Sequence, residues 1–404
     1  MEGSPSLNED LLVEILAKVP VKALLRLRSV CKSWKSIIAS PEFCSFHLST
    51  NRHSSKILIT ARDRGHTKRP EERYFVLNND ENLPFDPSWL TPFDFPFHSH
   101  HIVASINGLI CVSTSESDLE VQVNIPFMLW NPTIRRHVYL PDLTLTKPDE
   151  SSIEFGYDPT TDDYKIVVLT LPAEFNVYSL NSNTWRRGFL DRQISLIRST
   201  GAFAGGKMHW LVSKDFQDMI CLYSFDVAKE VFAEVALPPQ KDPAATIIMY
   251  PQGVTVLGDS LVVGQQALKS KNVMFDMTWI IWVQIVAGGW KKLYRVEDPM
   301  GMAATAFVCV LKNGELVMDK YYSHGSSYGI AAYDPKAREF KSFCEQRDFG
   351  GVKSLNDHQE SLVLMDCTPV GDPRASCSNW SCQVQFERKT PSTLVALAIL
   401  KSKN

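Results

Sequence analysis

The sequence predicts a small all-α module followed by a large all-β propeller, and three observations carry that reading. Apolar residues recur at helical spacing only up to Leu48. The rest of the chain breaks into short strand-like runs divided by Gly, Pro, Asn and Asp. A strand-turn-strand unit with an aromatic anchor returns at a spacing of roughly 45 to 60 residues, the scale of one propeller blade.

In the first part, Leu11, Leu12, Ile15, Leu16 and Val19 fall along one stripe of a helix, with Glu9, Asp10, Glu14 and Lys18 off it. The acids sit near the helix start and the lysine near its end, as the helix dipole favours, and either Ser6 or Asn8 is placed to cap it. Pro20 stops this helix. A second apolar set, Leu24, Leu25, Leu27, Val30, Cys31, Trp34, Ile37 and Ile38, runs until Pro41 interrupts again, so two or three short helices are expected. A unit of about forty residues seldom encloses its own core. Much of its apolar surface should therefore meet another chain.

Leu7, Asp10 to Leu12, Ile15, Leu16, Val19 to Val21, Leu24, Leu25, Arg28 and the V-C-K-S-W run from Val30 to Trp34 resemble an F-box, over Leu7 to about Leu48. The family usually has proline after the first leucine, where this chain has Asn8. The resemblance implies docking on a Skp-type adaptor, and through it on cullin and RING subunits. It places Leu7, Leu11, Leu12, Ile15, Leu16, Val19, Pro20, Val21, Leu24, Leu25, Val30, Cys31 and Trp34 among the adaptor-facing or interface-supporting residues, without separating the two groups. The expected division is a flexible tail over 1–6, an F-box over 7–48 and a propeller over 49–404.

Composition narrows the partners. The chain has 404 residues, of which 44% are apolar and 22% charged, with a formal net charge of -3, as in a globular protein. No run of lysine or arginine supplies a footprint for nucleic acid. The charged stretch Arg62 to Arg73 mixes signs around Gly65 and Pro70 and reads as a solvated loop. The start, MEGSPSLNED, lacks the pattern of a secretory signal, and Leu394 to Leu400 is too short to span a bilayer and reads as a closing strand or helix. No membrane insertion is expected, and the cytoplasm or nucleus is the expected location. The nine cysteines are scattered, Cys377 and Cys382 do not have zinc-knuckle spacing, and buried thiols with no metal or cofactor are expected. Asn379-Trp380-Ser381 reads as a chance glycosylation match.

Beyond the linker, Lys56 to Thr60, Tyr74 to Leu77, Gly108 to Ser113 and Lys165 to Leu171 read as strands. The repeated unit is visible from Met128, Asn176, Tyr223, Ile281 and Ala331, as in MLWNPTIRRHVYLP and AAYDPKAREFKSF. One such sheet leaves both faces uncovered, so neighbouring blades must cover one another around an axis. Ser105 to Cys111, Leu129 to Arg136, Phe155 to Val168, Val177 to Trp185, Gly206 to Leu211, Ser224 to Pro238 and Gly289 to Tyr294 resemble the kelch-like F-box-associated domain of plant F-box proteins, over about Ile57 to Asp366. Gly205-Gly206, Gly288-Gly289 and Gly350-Gly351 share no downstream pattern, which leaves six to eight blades open.

Trp130, Trp185, Trp210 and Trp290 are expected to fill space between sheets. Asp158 and the pair Asp162-Asp163 are read as turn formers rather than facing catalytic acids. His98, His100 and His101 are placed at a loop junction before a strand at Ile102. No nucleophile elbow, phosphate loop or zinc-binding HExxH helix occurs. The aromatic and proline-rich stretch from Pro84 to His101 is expected at a propeller rim, where Trp89 and Phe93 either contact a target or pack on the body.

The resemblance thus implies a non-catalytic substrate receptor of a Skp–cullin–F-box ubiquitin ligase, holding an unknown target protein on its propeller. A scaffold outside an active ligase, and a propeller that binds a small molecule or sugar, are the alternatives.

Overall fold

The computed structural model describes residues 8–51, 56–63, 72–80, 82, 86, 90–97, 100–114, 123–146, 150–191, 193–214, 219–240, 249–268, 277–285, 288–297, 304–322, 327–345 and 349–364. Four helices, α1 (Glu9–Ala17), α2 (Val21–Leu27), α3 (Lys32–Ala39) and α4 (Pro41–Thr50), precede a six-bladed propeller.

The helices begin where the sequence offers acceptors for their first N–H groups. Asn8 caps α1 by accepting from the Asp10 amide at 3.2 Å, and Cys31 Sγ caps α3. Pro41 differs from the expected break. It occupies the first turn of α4, where a missing N–H costs nothing, while Ser40 Oγ accepts from the Phe43 amide at 3.2 Å. The proline therefore starts a fourth helix, which carries the helical unit to Thr50.

The blades are antiparallel sheets in sequence order, except at the closure. In the first blade Phe349–His358 is the innermost strand, followed outward by Lys56–Asp63, Glu72–Asn78 and Thr91–Pro92. The two ends of the propeller sequence thus share one sheet. This closing strand is not the Leu394 to Leu400 segment, which lies outside the described residues. Blades two, three, five and six begin at His100, Ser151, Met249 and Ala304, and each has four strands. In blade four the innermost position is split between Ile194–Ile197 and Ala202–Ala204, both paired with Lys207–Lys214. His100 and His101 belong to the strand His100–Ile106 rather than to a junction before it.

Apolar runs without alternation arise because a blade is covered on both faces. In Asp163–Thr170 every residue is buried. Ile166 and Val168 pack with Leu109, Phe127 and Leu129 of blade two, while Val167 and Leu169 pack with Met208, Trp210 and Val212 of blade four. Equivalent apolar clusters join each remaining pair of neighbours around the ring. Of the expected core tryptophans, Trp130 and Trp210 are buried. Trp185 and Trp290 lie on outer strands and donate their indole N–H to Pro141 O and Ala236 O of the preceding inter-blade connection, both at 2.7 Å.

The repeat seen in the sequence is a turn between the third and fourth strands of a blade. Asn131, Asp226 and Asp334 begin this turn in blades two, four and six, and their side-chain oxygens accept from the amides of Thr133, Lys229 and Lys336. Four residues later Arg135, Glu230 and Arg338 adopt positive φ, between 54 and 58°. Asp158 also shapes a turn, accepting from the Thr160 amide and from the hydroxyls of Thr160 and Thr161.

Candidate interaction face and channel

The helical module rests on the propeller through the segment that follows the closing strand. Leu362, itself fully buried, joins Leu16, Ala17, Val21, Leu24, Ile38 and Phe43 in one core, with Ile134 of blade two against it. Glu360 forms ion pairs with Lys22 of α2 and Lys56 of the first blade, at 3.7 and 3.4 Å. The Asn107-Gly108 hairpin touches the same segment: a Cβ on Gly108, whose φ is +77°, would lie 2.4 Å from Ser361 Oγ. Asn131, fully buried, donates to Ser361 and Val363. Antiparallel strands alternate in direction, so these first and third turns of a blade share one end of the propeller. The helices sit at that end.

Within the helical module, carbonyl groups at the end of α1 are satisfied by α4 and its cap. His47 Nε2 lies 2.9 Å from Val19 O, and Asn51 Nδ2 donates to Ala17 O at 2.9 Å. Burial lowers the His47 pKa from its ordinary value, favouring the neutral ring.

Burial differs among the residues expected to face or support an adaptor. Leu16, Val21 and Leu24 point inward and hold the module together. Leu12, Val19, Leu25 and Trp34 are half-buried. Leu11 and Ile15, one helical turn apart on α1, are each 48% exposed, Val30 is 60% exposed, and Pro20 and Cys31 are also exposed. Leu7 lies outside the described residues. Phe46 of α4 is a further exposed apolar residue; the sequence alone does not reveal it, because Pro41 reads as a helix end.

Of the two expected target contacts, Trp89 lies outside the described residues. Phe93 is half-buried, with its ring centroid 5.8 Å from that of Trp130 and 6.2 Å from that of His358. Phe95 and Phe97 also pack against Trp130.

The innermost strands surround a central channel of about 1300 Å³. Its described lining carries the carboxylates Glu154, Asp259 and Asp357, one lysine, Lys312, and no arginine, among many Ser, Thr, Asn and Gln side chains. Burial pushes the Glu154 carboxyl up to about 8 and also raises Asp357, which opens to the channel yet lies deep in the protein. His358, with Nδ1 2.8 Å from Ser105 Oγ, is lowered by burial to about 4 and is neutral at physiological pH. Sequence reasoning missed Glu154 because a lone acid on a strand carries no motif. Among the described residues, no group of three His, Cys, Asp or Glu side chains is arranged to hold a metal ion. Among them, too, no helix is long and apolar enough to cross a membrane.

Comparison with known proteins agrees with both parts of this architecture. Residues 5–46 match the F-box domain, and residues 57–367 match the F-box associated beta propeller domain. The chain is 26% identical to the F-box/kelch-repeat protein At3g23880 of Arabidopsis thaliana, over 57% of its own length and 65%, just under two thirds, of that relative's. It is 23% identical to the putative F-box protein At1g70960 of the same plant, over 89% of this chain and 98% of the relative. With the Arabidopsis F-box protein CPR1 it shares 24% identity over 74% of this chain and 75% of that one.

Proposed function

We propose that this chain, which belongs to the F-box proteins carrying an F-box associated beta propeller domain, is the substrate-recognition subunit of a Skp–cullin–F-box ubiquitin ligase. The observation that carries the reading is the division of the helical module. Its inward residues are sealed by Leu362, whereas Leu11, Ile15, Val30 and Cys31 remain apolar and uncovered. Exposed apolar side chains on a closed module are what a helical adaptor would bury. F-box proteins are generally non-catalytic components of such ligases, and the receptor's contribution is geometric: it raises the local concentration of a target lysine near the charged conjugating enzyme.

In this reading the adaptor, and beyond it the cullin and RING subunits, assemble around the helices at one end of the propeller. Trp89 and Phe93 remain proposed target contacts, with Phe93 also serving the packing around Trp130.

The test is co-purification of a Skp-type adaptor, cullin and RING subunit with the wild-type chain and with a Leu11→Asp, Ile15→Asp variant. Wild-type capture of all three, lost in a variant that melts like the wild type, is the expected outcome. Adaptor binding without cullin would instead favour a scaffold outside an active ligase, and no adaptor binding by the wild type would refute the assignment.

A further inference from the structure

Glu154 stands on the innermost strand of blade three, 5% exposed, and its carboxyl forms no hydrogen bond or ion pair with any other described residue. Facing it, blade four departs from the other blades. Its innermost strand is interrupted between Ile197 and Ala202, and Ser199, Thr200 and Gly201 line the channel there. Gly201 marks a tight cradle: a Cβ added to it would lie 2.8 Å from Glu154 Cδ and 2.9 Å from Trp210 Nε1. The Trp210 indole N–H is itself buried without an acceptor. A carboxyl and an indole donor, both unpartnered, therefore meet at one break in the channel wall.

Each of these groups is costly to leave unmatched inside a protein, and a cationic ligand resolves both by holding the carboxyl in its ionised form. A charged carboxylate can accept from Trp210 with one oxygen and from a ligand cation with the other. The remaining lining agrees in sign. Even with Glu154 protonated, Asp259 and Asp357 outnumber Lys312 and His358 is neutral, so an anion is disfavoured and a cation would hold Glu154 ionised. Hydroxyl and amide side chains, including Ser152, Ser199, Thr200, Gln252 and Thr255, offer further acceptors around the site.

We propose that the propeller channel binds a small organic cation with a primary ammonium group, which docks on Glu154 at the break in the innermost strand of blade four. This site is independent of the exposed helical face, so its failure and the failure of the ligase assignment are separable.

Titration calorimetry and thermal shift on the full-length chain, with putrescine as probe and 1,4-butanediol and inorganic phosphate as comparisons, test it. Putrescine is expected to bind and raise the melting temperature, while the diol and phosphate do neither. Glu154→Gln is expected to weaken putrescine binding by at least about tenfold, in line with loss of a charge-assisted contact, and Leu11→Asp to leave it unchanged. In the wild-type chain, the indole N–H resonance of Trp210, assigned with Trp210→Phe, is expected to move downfield as putrescine is added. That readout holds even if Glu154→Gln does not fold. The proposal is overturned if the diol binds as well as the diamine, if Glu154→Gln binds putrescine like the wild type, if the indole resonance stays in place, or if putrescine at millimolar concentration does not bind.

Discussion

The side-chain amide nitrogen of Asn131 donates to the backbone oxygens of Ser361 and Val363, at 3.0 and 2.9 Å, and lies 3.1 Å from Ser361 Oγ. Its oxygen meanwhile accepts from the Thr133 amide at 3.0 Å. Blades four and six have Asp226 and Asp334 at this position, whose carboxylates serve as acceptors in the turn and pair with Lys229 and Lys341. Blade two needs a donor as well, to bind the segment that carries Leu362 under the helices.

Asn131→Asp should therefore keep the turn and lose the tie. It leaves a charge among carbonyl oxygens in a fully buried place, and we expect about 3 kcal/mol of destabilisation, against about 2 kcal/mol for Asn131→Ala. Urea unfolding checks the magnitudes. Hydrogen exchange in α1 to α4 should accelerate in both variants; unchanged exchange would mean that the tie does not support the helices.

Leu362→Ala should leave a void among Leu16, Leu24, Ile38 and Phe43. The expected cost is about 2 to 4 kcal/mol, felt first as loosening of the helical module. Limited proteolysis should cut within the first fifty residues while the propeller stays intact. Cleavage spread evenly over the chain would contradict the assignment of Leu362 to that core.

The inward and outward residues of the module should respond oppositely. Leu24→Ala is expected to lower stability by about 3 kcal/mol, because Leu24 is fully buried. Val30→Asp is expected to change stability by no more than about 0.5 kcal/mol and to weaken adaptor capture. Denaturant midpoints and adaptor affinities measured on the same preparations separate the two effects. A large stability loss in Val30→Asp would show that its exposure had been misjudged.

Two kinds of buried group should give stability opposite dependences on pH. Glu154 is raised from 4.5 to about 8, so its contribution is fully present below pH 4.5 and is lost as pH rises toward 8, when the unfolded chain releases the proton first. His209 and His358 are lowered from 6.5 to about 4, so theirs is present above pH 6.5 and is lost as pH falls toward 4. Glu154→Gln should then remove a penalty of about 4 kcal/mol at pH 8 and flatten the alkaline side of the curve, leaving the acid side unchanged. Urea melts from pH 5 to 9 decide this; an identical alkaline slope in the variant would show that Glu154 ionises freely.

The features legible in the sequence were those that repeat over short distances. The α1 stripe, the stop at Pro20 and the blade turns at Asn131, Asp226 and Asp334 each follow from local spacing or local hydrogen bonding. Pro41 was legible as a break but not as a first-turn residue, since only Ser40 Oγ on the Phe43 amide distinguishes the two. The closing strand Phe349–His358 shows no clean alternation. It pairs with Lys56–Asp63 across most of the chain, with register shifts near Ala61. The core role of Leu362 and the meeting of Glu154 with Trp210 are products of closure, and no window of sequence contains both partners.

The placement of Leu362 has a temporal meaning for the growing polypeptide. During translation the helices emerge from the ribosome before the propeller, but the residue that completes their core is made only after all six blades. A transcript interrupted before Phe349 would yield a product lacking both the propeller's seal and the floor beneath its helices. Such a fragment would expose Leu16, Leu24 and Phe43 to chaperones and proteases, so full-length synthesis is the condition for presenting a finished module.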